Sequence, residues 1–287
     1  MSKWGVIAML VSMKKLLKRA EKENSAVGAF SVGNMEMIMG VIKAAEEMNT
    51  PVVLQIAEKR LKNSPFELMA PMMVNAAAEA KVDIAVHLDH GLTFECVYKA
   101  LQYGFTSVML DCSLKSFDEN VMYTRDVVRL AENFSACVEA ELGVVGGNEG
   151  DTEEHIISCT DPEAAKSFCE KTGIDALAVA IGNAHGNYPV LPELRFDVLE
   201  KIHNRTCVPL VLHGGTGITE EMFQKAISLG IRKINIATAS FDALTAFARD
   251  YLSCSEKPDY FSLSEKMVQG VYENVKRHIN IFNNKEN

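Results

Sequence analysis

Several residue types that mark other protein classes are scarce in this chain of 287 residues. Its 7 cysteines include no CxxC pair and follow no secretory leader, so the composition predicts a reduced, cytoplasmic protein without a disulfide framework. The early apolar run VIAML is too short and too poorly flanked for a signal peptide or a membrane span. No membrane partner is therefore expected.

The chain also lacks an interdomain linker and a net positive charge. No Pro/Gly/Ser-rich or low-complexity stretch interrupts residues 1–287, which favours a single domain over two ordinary ones. The net charge of -9 argues against nucleic acid or an anionic membrane as a main partner. A phosphate-bearing ligand would need a locally positive site made by a metal, a helix start or a backbone nest.

What the chain does contain is an alternation of short, β-branched apolar runs with amphipathic helical stretches. Repeated β–α units of this kind predict an α/β fold, a (β/α)8 TIM barrel over about residues 26–252. A doubly wound sheet is the alternative, but no glycine-rich dinucleotide turn follows the first run. The runs are AVGAFSV (26–32), PVVLQIA (51–57), DIAVHLD (83–89), SVMLDCS (107–113), SACVEAELG (135–143), ALAVAIG (176–182), PLVLHGG (209–215) and KINIAT (233–238).

Two segments lie outside the regular repeat. The insertion GVVGGNEGDTEEHIISCT separates the fifth and sixth runs, and a long, Gly-rich, acidic loop at the mouth of a barrel is typical of a mobile lid. A solvated excursion explains most of its residues equally well. After the barrel, a helical stretch at about 261–282 carries an apolar stripe, which predicts packing on the barrel or on a neighbouring subunit.

Three histidines stand in equivalent places, each at the end of an apolar run that leads into glycine. They are His90 in AVHLDHG, His185 in LAVAIGNAHG and His213 in PLVLHGG. Because barrel strands end at one mouth, these side chains should converge. Three imidazoles plus an open position form a catalytic zinc arrangement, so the pattern predicts a zinc site. A set of satisfied core histidines is the blander explanation.

Other polar residues share the same strand ends. Asp89 precedes His90, Asp111 ends the fourth run, and Asn235 lies in the eighth. Glu139 and Glu141 point the same way on the fifth strand, so chemistry alone does not separate their roles. Charged groups in apolar strands are costly unless paired or metal-bound, which indicates a functional site here.

The remaining histidines lack this context. His87 shares a strand face with Asp89 and is predicted to have a structural or ligand-supporting role. His155, His203 and His278 lie in polar or helical surroundings and are predicted to be surface residues.

Five linked motifs carry a resemblance to a known family. HLDHG, EAELG followed by GGNE, AIGNAHG, LHGGTGI and KINIATA resemble the class II, metal-dependent ketose-bisphosphate aldolases, nearest to the tagatose- and fructose-bisphosphate branch. The match runs from about residue 26 to 240, in order and with strand-compatible spacing. The resemblance implies a Zn²⁺-dependent lyase that acts on a phosphorylated sugar and assembles as a homodimer or homotetramer.

The resemblance also assigns roles to individual residues. Asp89 matches the base that takes the proton from the C4 hydroxyl, and Asn235 matches the asparagine that hydrogen-bonds the intermediate. Glu149, in the lid, matches the acid that protonates the enediolate carbon. Glu141 matches an additional metal-site carboxylate, and Asp111 matches a residue near a second or resting metal position.

A phosphate site is expected beside these groups. The glycine-rich turn after the seventh run and the start of the helix after the eighth are where barrels commonly hold phosphate on backbone N–H groups. The resemblance adds a monovalent cation, Na⁺ or K⁺, near this site. The predicted substrate and phosphate contacts are Gly186, Gly214, Gly215, Thr216, Asn235, Ala237 and Thr238.

Departures from the family pattern concern the aldehyde half of the substrate. Ala237 stands where several fructose-bisphosphate enzymes carry an aspartate, which is closer to the tagatose branch. The loop EKRLKNSP is charged where relatives are Gly/Ser-rich, so Lys59, Arg60 or Lys62 could contact an anionic group, although a solvated loop explains them equally well. These differences indicate that the dihydroxyacetone-phosphate half is retained and the aldehyde half has diverged.

The sequence therefore predicts reversible retro-aldol cleavage of a ketose 1-phosphate or 1,6-bisphosphate to dihydroxyacetone phosphate and an aldehyde. Within the enzyme class, the alternative is a divergent aldolase or epimerase on another phosphorylated or acidic sugar. From another class, the alternative is a non-catalytic barrel subunit, which would have no need of Asp89, Asn235 and three histidines together.

Overall fold

A computed structural model describes residues 9–147, 158–187 and 192–283 of the chain. Its strands and helices alternate as the sequence predicts. The strands are β1 (Val27–Ser31), β2 (Val52–Ala57), β3 (Ile84–Gly91), β4 (Ser107–Leu110), β5 (Cys137–Leu142), β6 (Gly146–Gly147), β7 (Ala176–Val179), β8 (Ala184–His185), β9 (Leu210–Leu212) and β10 (Ile231–Ile236). The helices are α1 (Met13–Glu23), α2 (Met35–Glu47), α3 (Phe66–Glu79), α4 (Phe94–Gln102), α5 (Phe117–Glu132), α6 (Pro162–Thr172), α7 (Phe196–His203), α8 (Glu220–Ser228), α9 (Thr238–Cys254) and α10 (Tyr260–Phe282), with a short 3-10 helix at Glu58–Arg60.

The strands close into a parallel barrel. Their order is β1-β10-β9-β7-β5-β4-β3-β2, and the first and last strands of the repeat complete the ring by pairing Ala29 with Asn235. The short strands β6 and β8 pair with each other outside this ring. The predicted TIM barrel is therefore confirmed, including its eight strand positions.

Several helix starts are fixed by side-chain caps. The hydroxyl of Thr93 accepts a hydrogen bond from the backbone N–H of Cys96 at the start of α4, and Thr219 does the same for α8. The carboxylate of Asp161 caps α6, with proline as its next residue. Each cap satisfies a backbone donor that the first helical turn leaves unpaired.

Helix α1 seals the N-terminal end of the barrel. Met13, Leu16 and Leu17 are buried against the inward-facing small side chains of the strands. The Met13 sulfur accepts a hydrogen bond from the Ser107 hydroxyl at 3.3 Å, so the seal touches polar groups of the barrel interior. Helix α1 therefore covers the interior at this end.

The C-terminal helix α10 lies against α2 and α9 and covers β1. Close backbone approach requires glycine at Gly270, because a Cβ there would lie 2.6 Å from the Ala243 carbonyl oxygen of α9. The predicted helical tail thus packs on the barrel. Among the described residues, no helix is both long and apolar enough to cross a membrane.

One histidine prediction is wrong. His278 is buried, not a surface residue, because α10 turns it toward the aromatic rings of Phe30, Phe223 and Phe282. Its Nδ1 donates to the Asn274 carbonyl oxygen at 2.8 Å, which satisfies the neutral ring. His203 is exposed as predicted, and His155 lies outside the described residues.

Burial of His278 should make stability depend on pH. Burial lowers the pKa of His278 from 6.5 to about 4. Between these two pH values, His278 is protonated in the unfolded chain and neutral in the folded chain. Stability is therefore lost as pH falls, by about 2 kcal/mol between pH 7 and 5 from this group. Urea unfolding at both pH values should show a smaller pH difference in His278→Gln than in the wild type. His203→Gln, an exposed control, should retain the full difference, and an unchanged difference in His278→Gln would contradict the assignment.

Candidate active site

The described residues of the predicted site lie at or just after the C-terminal ends of barrel strands. Asp89 and His90 are near the end of β3, His185 ends β8, and His213 follows β9 directly. Asn235 lies late in β10. Parallel strands deliver their C-terminal residues to one mouth, which explains why positions so distant in sequence converge.

The three histidines of the zinc prediction form one cluster. One ring nitrogen from each of His90, His185 and His213 lies within 4.8 Å of the other two. The ring centroids are 4.7 Å apart for His90 and His213, 4.9 Å for His90 and His185, and 5.9 Å for His185 and His213. These nitrogens are close enough together to hold one metal ion.

His90 is oriented by the strand end and by a carboxylate. Its backbone has a φ of 40°, in the left-handed region that a non-glycine residue seldom adopts. Its Nδ1 lies 2.7 Å from Asp111 Oδ2, so Nδ1 donates and Nε2 is left as the lone-pair atom. Hydrogen bonds from His90 and Ser113 hold the pKa of Asp111 below its usual range although burial opposes this. Asp111 thus contacts a candidate ligand rather than joining the cluster itself.

His213 lies between two glutamates of β5. Its Nε2 donates to Glu139 Oε1 at 2.9 Å, while its Nδ1 lies 2.9 Å from Glu141 Oε2 without the geometry of a hydrogen bond. Burial alone would lower the pKa of His213, but its contacts with Glu139 and Glu141 raise it to about 9. The two glutamates, which chemistry alone could not separate, therefore have different positions relative to His213.

This arrangement fits a divalent metal. His213 Nδ1 and Glu141 Oε2 lie 2.9 Å apart in a buried space, and the raised pKa of His213 shows that the two glutamates favour a positive charge there, which either a proton on Nδ1 or a divalent cation can supply. The donor set of three imidazoles with a nearby carboxylate suits zinc or a similar ion. The residues present therefore fit the group that the sequence predicts.

Asp89 is held on both oxygens. Gln55 Nε2 donates to Oδ2 at 2.8 Å and Asn235 Nδ2 donates to Oδ1 at 3.1 Å. Burial would raise the pKa of Asp89, but electrostatic interactions with His90, His213 and Lys233 lower it. Asp89 Oδ1 lies 4.0 Å from His90 Nε2. The carboxylate is thus ionised, fixed in direction and adjacent to the histidine cluster.

The barrel interior contains a polar layer that sequence reasoning largely missed. Lys233 is fully buried, and its Nζ donates to Glu139 and to Asn235. His87 lies in the same layer, with its Nδ1 2.8 Å from the Ser107 hydroxyl, and burial lowers its pKa to about 4. The predicted supporting position of His87 fits this contact. A lysine at the start of the run KINIAT, two residues before Asn235, was the available signal for Lys233.

A second grouping of potential ligands lies in that layer. His87, Asp89 and Glu139 each offer an atom within 4.8 Å of the other two. Lys233 Nζ already lies 3.0 Å from Glu139 Oε2, so a cation balances these carboxylates without a metal. The histidine cluster is therefore the better metal site.

Asn183 is another residue that the motif reading passed over. It is fully buried, its Oδ1 accepts from the Ile181 N–H at 2.7 Å, and its Nδ2 donates to the His213 carbonyl oxygen at 3.0 Å. This amide joins the segment that carries His185 to the one that carries His213. Its position in AIGNAHG, two residues before a histidine, was the only signal.

The predicted phosphate residues lie in two adjoining turns. Gly215 N–H donates to the Asn235 carbonyl oxygen at 3.1 Å, and Ala239 N–H donates to the Thr216 hydroxyl at 3.1 Å. Thr238 is the first residue of α9, and Ala237 precedes it without a side-chain cap. The start of α9 therefore faces the turn that follows β9.

Glycine is required at Gly214 in this turn. Its φ is 65°, and a Cβ there would lie 2.0 Å from the Ala184 carbonyl oxygen. Gly186, after His185, also has a positive φ of 88°. Of the remaining site predictions, Glu149 lies outside the described residues.

Comparison with known proteins gives the family. The family model described as "Fructose-bisphosphate aldolase class-II" matches residues 11–287. A fructose-bisphosphate aldolase from Geobacillus stearothermophilus is 43% identical over 253 residues, covering 85% of this chain and 86% of that protein. The uncharacterized protein YdjI of Escherichia coli K12 is 38% identical over 276 residues, covering 96% of this chain and 98% of that protein.

Solved structures agree. The crystal structure of the YdjI aldolase from Escherichia coli K12 superposes with a TM-score of 0.85 at 35% identity, covering 95% of this chain and 97% of that one. A putative fructose-1,6-bisphosphate aldolase from Coccidioides immitis gives a TM-score of 0.86 at 29% identity, covering 94% and 95%. The resemblance predicted from five motifs is confirmed: this chain belongs to the class II fructose-bisphosphate aldolase family, a family of lyases that is generally metal-dependent.

Proposed function

We propose that this protein cleaves a ketose 1-phosphate or 1,6-bisphosphate reversibly to dihydroxyacetone phosphate and an aldehyde, with Zn²⁺ held by His90, His185 and His213. The observation that carries the proposal is the position of Asp89, an ionised carboxylate fixed by Gln55 and Asn235 beside the histidine cluster. Retro-aldol cleavage needs a base and a Lewis acid at neighbouring positions on one substrate. Asp89 would supply the base, and an ion held by the histidine cluster would supply the Lewis acid.

In the proposed reaction, individual side chains move the protons. Asp89 takes the proton from the C4 hydroxyl, the C3–C4 bond breaks, and its electron pair moves toward the C2 carbonyl. A bound divalent ion supplies the Lewis acidity that stabilises the negative charge of the resulting enediolate. Asn235 keeps one amide hydrogen on Asp89 and has a second that can reach the intermediate. A proton then returns to C3, for which Glu149 stays the predicted donor.

The remaining residues have supporting roles in this proposal. Asp111 orients His90, and Glu141 is an additional carboxylate at the metal. Phosphate binds to backbone N–H groups of the turns after β8, β9 and β10, with a monovalent cation, Na⁺ or K⁺, nearby. Gly186, Gly214, Gly215, Thr216, Ala237 and Thr238 line that site.

The chain is proposed to work as one domain in a cytoplasmic homodimer or homotetramer. Large apolar side chains exposed at the junction of α9 and α10 support an assembly contact there: Leu252 is 49% exposed, Tyr260 67% and Phe261 76%.

A specific observation supports an anionic group on the aldehyde half. Ala57, at the end of β2, is the register partner of Asp89, so the 3-10 helix that follows lies beside the proposed base. The Glu58 carboxylate fixes this helix to the next loop by accepting hydrogen bonds from the N–H groups of Leu92 and Thr93 at 2.6 Å and 2.9 Å. The Arg60 guanidinium lies 5.3 Å from the Phe241 ring centroid.

Stacking of this kind fixes a guanidinium while its N–H donors remain at the edge of the plane, where a carboxylate or phosphate binds. Of the three basic residues considered from sequence, Arg60 is therefore the one that the fold anchors. We propose that it contacts an acidic group at the aldehyde end of the substrate.

Asp89→Asn tests the proposed base. We expect dihydroxyacetone-phosphate release to fall by about 10²- to 10⁴-fold, because the amide cannot accept the C4 hydroxyl proton. Metal content should stay stoichiometric, and chelation should abolish release by the wild type. Asp83→Asn is the matched control, since Asp83 pairs with Lys15 at 2.7 Å on the far side of the barrel and should leave activity unchanged. Full activity in Asp89→Asn would remove this residue from the mechanism.

Asp111→Asn tests the metal centre apart from turnover. Zinc affinity, measured by competition with a chromophoric chelator, should weaken about 10-fold because the amide orients His90 less strongly than a carboxylate does. His213→Ala should lose stoichiometric binding. Asp126→Asn, an exposed control on α5, should match the wild type. Unaltered zinc affinity in His213→Ala would place the metal elsewhere.

Arg60→Gln tests the anionic aldehyde. In the condensation direction, KM for aldehydes with a terminal carboxylate or phosphate should rise about 10- to 100-fold, as expected for loss of a hydrogen bond to a charged group. KM for neutral aldehydes should change less than about 3-fold, since they leave that donor unused. Lys62→Gln, in the same loop with an exposed side chain, is the comparison. Equal changes for anionic and neutral aldehydes would refute the contact.

A further inference from the structure

Lys233 is the most deeply buried cation of the described residues. It is 0% exposed, inside the barrel, where lysine is almost never found unless it is paired. The proposed reaction does not use it directly. Its place in β10, two residues before Asn235, sets its ammonium group on the same inward face.

The ammonium group has three close acceptor atoms. Nζ lies 2.7 Å from Asn235 Oδ1, 3.0 Å from Glu139 Oε2 and 3.2 Å from Glu139 Oε1. Glu139 comes from β5, which is separated from β10 by two other strands in the ring, so this contact crosses the barrel interior. Lys233 therefore has a fixed position that does not depend on Asn235 alone.

The contact with Asn235 determines which way the amide faces. An ammonium group only donates, so it must face the amide oxygen, and Nδ2 is then directed to Asp89 Oδ1 at 3.1 Å. Without this donor, a buried carbonyl oxygen would be left unsatisfied, and the amide could rotate to find another partner. Asp89 would then lose one of the two hydrogen bonds that fix its carboxylate.

We propose that Lys233 is a positioning residue: by donating to Asn235 Oδ1, it fixes the Asn235 amide on Asp89 and so sets the direction of the catalytic carboxylate. The inference rests on the proposed function for the role of Asp89 in catalysis. The contacts themselves belong to the described residues and do not depend on that function.

The test must separate this contact from the ion pair with Glu139. Lys233→Met alone leaves Glu139 as an unpaired buried carboxylate and can prevent folding. K233M/E139Q removes both charges together and keeps two side chains of similar size, and the amide oxygen that replaces the carboxylate can still accept from His213 Nε2. This pair of changes is introduced into the wild type and into Asn235→Ala, which gives a double-mutant cycle.

In the wild-type background, K233M/E139Q should lower kcat about 10- to 100-fold, with KM within about 3-fold, as for other groups that orient a reacting side chain. In Asn235→Ala, the same pair of changes should lower kcat less than about 3-fold further, because the amide through which Lys233 acts is gone. Equal losses in both backgrounds would overturn the proposal, as would full activity of K233M/E139Q.

A second readout does not require turnover. The side-chain amide ¹⁵N–¹H resonance of Asn235, assigned by its loss in Asn235→Ala, should shift and exchange faster in K233M/E139Q. An unchanged resonance would overturn the positioning role even if kcat falls. If the wild type released no dihydroxyacetone phosphate from any ketose phosphate, the proposed function would fail while this resonance still tested the contact.

Lys276→Met provides the matched control. Lys276 also forms an ion pair, with Glu47 at 2.9 Å, but it lies on α10 outside the barrel interior. The control should leave kcat and the Asn235 resonance as in the wild type. A shifted Asn235 resonance in this control would mean that the resonance responds to general destabilisation. The resonance would then no longer support the positioning role of Lys233.

Discussion

The buried ion pair between Lys233 and Glu139 is the interaction on which the interior of this barrel depends. Most barrels of this kind fill their lumen with branched apolar side chains. Here β5 and β10 contribute a carboxylate and an ammonium group that are both fully buried. Removing either partner alone would leave an uncompensated charge in a medium of low dielectric, which typically costs about 3–5 kcal/mol. The pair therefore has to be kept or replaced as a unit.

Other polar groups of the site are arranged around this pair. Glu139 also accepts from His213, and Lys233 also donates to Asn235. The histidine cluster and the proposed base are therefore both connected to the same ion pair. The pKa of Glu139 is held low by Lys233 and His213 against the effect of burial. An ionised Glu139 leaves Nδ1 of His213 as the atom that can bind a metal. The proposed metal site and the proposed base are in this way connected by one set of contacts.

Sequence patterns were sufficient for the fold and for the convergence of the site. Apolar runs locate parallel strands because both faces of such strands are covered, and His90, His185 and His213 stand out because each ends such a run. Family membership followed from motifs in order along the chain and was confirmed. The roles of Asp89, Asn235 and the three histidines as site residues stay predictions, although the structure brings them together.

What the sequence could not supply depended on contacts between distant strands. Lys233 and Glu139 are 94 positions apart, and no local pattern pairs them. His278 looked like a surface residue because its neighbours in sequence are polar, whereas its burial comes from rings on other elements. Arg60 could not be distinguished from Lys59 and Lys62 until the Phe241 ring was seen beneath its guanidinium. Long-range packing decides each of these cases.

The seal formed by α1 has a consequence for proton traffic. Met13 contacts Ser107, and Ser107 in turn contacts His87, so the polar layer ends against an apolar plug at the N-terminal end of the barrel. Among the described residues, this plug covers the polar layer at the N-terminal end, so we expect the layer to exchange protons with solvent at the C-terminal ends of the strands. A ligand bound at those strand ends would slow this exchange.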